Sequence, residues 1–74
     1  MKKVVTQREA QDNYHAQLIA QGMENAGADV FSVSGLSQGC IAVYCTHSER
    51  LSVDEIDAEI EKVLETNGAF YQIG

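Results

Sequence analysis

Asp29-Val30-Phe31-Ser32-Val33-Ser34-Gly35-Leu36-Ser37-Gln38-Gly39-Cys40-Ile41-Ala42-Val43-Tyr44-Cys45-Thr46-His47 holds two alternating runs around a glycine-bounded loop. In residues 29–34, Val30, Ser32 and Ser34 fall on one side and Phe31 and Val33 on the other, the period of two that marks a half-buried strand. In residues 40–47, Ile41, Val43 and Cys45 oppose Cys40, Ala42, Tyr44 and Thr46. The loop from Gly35 to Gly39 joins the runs, which predicts a β-hairpin. Phe31, Val33, Ile41 and Val43 are expected to form its core-facing side.

Helical patterns flank the hairpin. Upstream, Ala16, Ile19, Met23 and Ala26 recur at spacings of three and four, and Tyr14 and Leu18 widen the stripe. Thr6-Gln7-Arg8-Glu9 fits a capping box, so this helix is expected to begin near Thr6. Gly22 interrupts it at a cost of about 1 kcal/mol relative to alanine, and Gly27 is placed to stop it in a left-handed turn. Downstream, Ser52-Val53-Asp54-Glu55 is a second capping box, and Leu51 and Ile56 fit a hydrophobic staple across it. Val53, Ile56, Ile60, Val63 and Leu64 make the apolar stripe, and Asn67-Gly68 ends the helix. Residues 69–73 read as a short aromatic strand.

Each helix has one stripe to bury, and both stripes need the same face of one sheet. The fold class is therefore α+β, a two-layer α-β-β-α-β sandwich with a small, mostly antiparallel three-stranded sheet and two helices on one face. The last strand can lie beside either hairpin strand. A further N-terminal strand in residues 1–5 would complete a ferredoxin-like βαββαβ pattern.

With 74 residues the chain is read as a single domain, 1–74, with a marginal core. Its 45% hydrophobic content excludes a disordered chain. No apolar run approaches the roughly 18 residues of a membrane span. Lys2 and Lys3 are followed by only two valines before Thr6-Gln7-Arg8-Glu9, which is not a signal peptide pattern. Eleven acids against five bases give a formal charge of −6. Direct binding of nucleic acid or of an acidic membrane is disfavoured, because both need clustered Lys and Arg. Residues 38–74 hold seven of the acids against Arg50 and Lys62 alone. Cys40 and Cys45 on one strand would stand roughly 16–17 Å apart, too far for a disulfide, so two reduced thiols and a cytoplasmic location are expected.

Cys45, His47 and His15 are the residues that could bind a metal or act as a nucleophile. Zinc needs four N/S ligands, or three and a water, and no Cys-x-x-Cys pair is present. A Cys/His nucleophile needs a lowered thiol pKa, which an acidic chain opposes. The simpler expectation is a buried Cys45, a solvent-facing His47, no metal, no cofactor and no catalytic residue. The loop from Gly35 to Gly39 lacks the Lys and Ser/Thr of a phosphate loop.

Two surfaces are more informative. Asp54, Asp57, Glu61 and Glu65 fall at spacings of three and four on one helix face, with Lys62 off that line and better placed against Glu59. Such a face is either solvated or a docking surface for a basic protein. Ser32, Ser34, Cys40, Ala42, Tyr44 and Thr46 lie on the sheet face that no helix remains to cover. That face is either wet or an interface; Tyr44, Ala42, Ser32 and Ser34 are its candidates for self-association as a homodimer.

In size, acidity and lack of proline the chain resembles small accessory proteins of phages and mobile elements, a likeness of style that covers no motif. The expected function is that of a non-enzymatic protein-binding module, an inhibitor or regulator docking onto a basic, nucleic-acid-handling partner. The alternatives are a structural homo-oligomeric assembly subunit and a small Cys/His-based metal site or enzyme.

Overall fold

A computed structural model describes residues 2–35 and 41–68. The elements run β1 (Lys3–Ala10), α1 (Asn13–Asn25), β2 (Asp29–Gly35), β3 (Ile41–Ser48) and α2 (Val53–Thr66). The sheet order is β1-β3-β2, with both outer strands antiparallel to the central one. Leu18, Ile19 and Met23 of α1 and Ile56, Ile60, Val63 and Leu64 of α2 meet Val43 and Cys45 of β3 in one buried cluster. Both helices thus share a single sheet face, and the α+β sandwich is as expected. The segment 69–73, read as a strand, lies outside the described residues, as does the loop 36–40 with Cys40.

The N-terminal segment departs from expectation. Thr6-Gln7-Arg8-Glu9 does not cap a helix. It lies inside β1, whose residues Lys3 to Ala10 pair in unbroken register with Ser48 to Ile41. The backbone groups that a cap would satisfy are taken by the ladder, and the Thr6 hydroxyl has a different partner, His47, at 2.6 Å. The strand suggested for residues 1–5 is real but longer. The helix starts instead behind Asp12, whose carboxylate accepts from the His15 N–H at 2.8 Å.

The remaining helix ends follow the sequence. Gly27, at φ 100°, closes α1. Its N–H donates to the Glu24 carbonyl, while the Ala28 N–H donates to that of Met23 at 2.9 Å. This crossed pair is a Schellman cap. In α2, Ser52 accepts from the Glu55 N–H at 3.2 Å. Leu51, just before the cap, packs against the cluster that holds Ile56. Val53 and Tyr14, assigned to the apolar stripes, are exposed.

Gly22 is where the helices come closest. A Cβ there would lie 2.5 Å from the Ile60 Cα and 2.8 Å from the Ile60 nitrogen. What reads in the sequence as a flaw in α1 is the absence of a side chain where α2 needs to pass.

The hairpin faces also differ in part. The pairing of β2 with β3 slips by one residue between Val30 and Ser32, leaving Phe31 as an extra residue. Such a bulge exchanges faces on one side of itself. Val30, opposite Cys45, therefore packs on the core, while the Phe31 ring lies against Tyr44 with centroids 6.1 Å apart and is 58% exposed. Phe31 is not a core residue. Val33 pairs with buried Val43 yet remains exposed on the edge strand, and Ile41 is half-buried.

Candidate functional site

α2 carries the four carboxylates singled out from the sequence, and the fold treats them unequally. Asp54, Glu61 and Glu65 are exposed. None of the three makes an ion pair among the described residues. Asp57 turns toward the sheet. Its Oδ1 accepts from Arg8 Nε at 2.8 Å and its Oδ2 from Arg8 Nη2 at 3.1 Å. Arg8 also donates from Nη1 to the Gln7 carbonyl at 2.7 Å. These hydrogen bonds to Asp57 raise the Arg8 pKa above its ordinary value, against the opposing effect of burial. The cation nearest the stripe is thus Arg8, from a strand 49 residues earlier, rather than Lys62. Lys62 pairs with Glu59 at 3.2 Å, as its position suggested. Reading Arg8 as helical hid this contact. On β1 it sits on the same side as Thr6 and Ala10, beneath α2.

The second surface is the sheet face opposite the helices. Register places Lys3, Val5, Gln7 and Glu9 of β1 on it, with Ala42, Tyr44 and Thr46 of β3 between them and β2. From β2 it receives Asp29, Ser32 and Ser34, opposite Thr46, Tyr44 and Ala42. The four residues expected at a self-association surface share one face, Ser32 pairing with Tyr44 and Ser34 with Ala42, but Ala42 is fully buried and offers no surface to a partner. Ser32 and Ser34 join hydroxyls at 3.3 Å, and Lys3 and Asp29 approach to 3.9 Å. Val5 and Phe31, both 58% exposed, complete an apolar strip with half-buried Tyr44. Neither was assigned to this face from the sequence: Val5 lay in the strand suggested for residues 1–5 with no face assigned, and Phe31, expected in the core, reaches this face only through the bulge.

The Cys and His residues are structural in their surroundings. Cys45 is fully buried and unpaired, and burial pushes its thiol pKa up. His47 is not solvent-facing: it points into the helix side of the sheet and is almost completely buried. The Ser48 carbonyl, 3.0 Å from Nδ1, can only accept, so Nδ1 carries a hydrogen, and Nε2 shares a hydrogen bond with the Thr6 hydroxyl. His15 is buried at the start of α1, where its Nδ1 accepts from the Gln11 N–H at 3.0 Å. Burial lowers its pKa. Among the described residues, no three His, Cys, Asp or Glu side chains converge as metal ligands. No described helix is long and apolar enough to cross a membrane. Comparisons of the chain with protein-family models, curated proteins and solved structures match nothing.

Proposed function

We propose that this chain is a non-enzymatic binding module that docks through the exposed face of α2 onto a basic surface of another protein, as an inhibitor or regulator. The observation that carries this reading is the division of labour among the four carboxylates. Asp57 is engaged by Arg8, which ties α2 to β1, while Asp54, Glu61 and Glu65 stay exposed and make no ion pair among the described residues. Glu61 and Glu65, four residues apart, repel each other at a cost of a few tenths of a kcal/mol. Glu61 and Glu65 gain nothing from the helix dipole, because they lie toward its negative end. A cationic groove would relieve that repulsion and be reached faster for it. A nucleic-acid-handling protein presents such a groove, and the carboxylates would stand where phosphates bind.

The test compares the wild-type chain with an Asp54→Lys/Glu61→Lys/Glu65→Lys variant, each tagged and incubated with host lysate at low and high salt. The reading expects a discrete basic protein that the wild type captures at low salt, high salt releases and the variant fails to hold. Capture that is equal with both chains would refute it.

A further inference from the structure

We infer that the open sheet face is a self-association surface, and that its occupant is a second copy of this chain stacked face to face across a two-fold axis. Three observations lead there. First, the face exposes apolar side chains together: Val5 and Phe31, each 58% exposed, around Tyr44. Around them stand the small residues Ser32, Ser34 and Thr46, which let a second sheet approach closely, while Ala42 between them is fully buried. Second, the Phe31 bulge interrupts the ladder in order to bring an aromatic ring out beside Tyr44 rather than into the core.

Third, the charges of this face complement themselves. Lys3 and Asp29 lie at one end of the strands and Glu9 at the other. A two-fold axis across the strands lays Lys3 over Glu9 of the other copy. An axis along the strands lays Lys3 over Asp29 of the other copy. Neither sets a carboxylate over a carboxylate. The exposed face of α2 behaves oppositely, since two copies would bring Asp54, Glu61 and Glu65 against one another. For a chain with formal charge −6, two copies therefore meet with less repulsion on the sheet than on α2. Three strands about 4.8 Å apart and about 25 Å long present a footprint of about 350 Å². Side-chain relief raises the total for two copies to roughly 1,000 Å², the lower bound of a specific interface. The dimer is accordingly weak and reversible.

The experiment is sedimentation velocity on the full chain with reductant present, from low micromolar to near-millimolar concentration. The mass should pass from monomer to dimer across that range. Phe31→Lys and Val5→Lys should each raise the midpoint concentration by about tenfold or more, as loss of a buried anchor does. Lys3→Glu should raise it too. Circular dichroism and the melting temperature of these variants should match the wild type, because all three side chains are exposed. The α2 charge-reversal variant should dimerise as the wild type does, which separates this inference from the docking function. A chain that stays monomeric throughout overturns it, even if a hydrophobic dye binds at Phe31, because the face would then belong to a different protein. A dimer unchanged by Phe31→Lys and Val5→Lys overturns it equally.

Discussion

Replacing Gly22 with alanine sets two physical effects against each other with opposite signs. Helix propensity alone favours alanine by about 1 kcal/mol in a helix interior. The helix crossing opposes it. The added Cβ would lie 2.5 Å from the Ile60 Cα, and ordinary contact begins at 3.4 Å, so the helices must part by about 0.9 Å. Overpacking of a well-filled core costs about 1–3 kcal/mol. The upper part of that range applies, because two of the obstructing atoms are backbone and cannot rotate away. The net expectation is a loss of about 1–2 kcal/mol, or a fall in Tm of roughly 5–15 °C for a domain of this size. Urea denaturation followed by circular dichroism measures it, with Gln21→Ala as an exposed neighbour expected to change little. Trimming Ile60 to alanine in the Gly22→Ala background should not restore stability, since the Cα and nitrogen remain. If Gly22→Ala proved as stable as the wild type or more so, the close crossing of α1 and α2 would be refuted.

Three further outcomes follow from the same contacts. In a double-mutant cycle, Arg8→Ala and Asp57→Ala should show a coupling of about 0.5–1.5 kcal/mol, above the usual surface pair because the contact is bidentate and partly buried; additive losses would show the pair to be inert. Thr6→Val should cost about 1–3 kcal/mol, as it leaves buried His47 Nε2 without its hydrogen-bond partner, and a melting temperature equal to wild type would contradict that hydrogen bond. Stability should depend on pH at both ends. His15 has a lowered folded pKa, so the unfolded chain takes up protons first and stability falls as pH drops below the ordinary imidazole value of 6.5. Cys45 has a raised folded pKa, so the unfolded chain loses its proton first and stability falls as pH rises above the ordinary thiol value of 9.0. His15→Gln should flatten the first slope and Cys45→Val the second; unchanged slopes would assign them to other groups.

α2 is legible in the sequence because cap, staple and stripe all occur within the helix itself. The same holds for the end of α1, where Gly27 and the residues before it suffice for the cap. β1 is legible only at its start, in the strand suggested for residues 1–5, because two of its inward positions are polar. Thr6 and Arg8 face the helices only by virtue of His47 and Asp57, 41 and 49 residues away, and no local window contains those partners. The Phe31 bulge escapes for a related reason. Alternation counts residues one for one, and an extra residue reverses Val30 and Phe31 while leaving Ser32 and Ser34 on the expected side. That is why Tyr44, Ala42, Ser32 and Ser34 gather as the pattern implies, while the aromatic ring beside them does not follow from it. For the carboxylates, helical spacing places the stripe correctly but cannot tell which member another element will claim.

The long reach of β1 also bears on how the chain is made. Its first eight-residue strand meets its partner only as β3 is made, beginning with Ile41 opposite Ala10 and complete at Ser48 opposite Lys3. At about 5–20 residues per second, the nascent strand waits for several seconds. The polar residues that obscure it in the sequence, Lys2, Lys3, Gln7, Arg8 and Glu9, suit that interval: an unpaired strand interspersed with charge resists adding to its neighbours on the polysome. Arg8 then reaches Asp57 only after the second helix has begun to form. The ion pair closes late, drawing the first strand and the last described helix together once the sheet between them is complete.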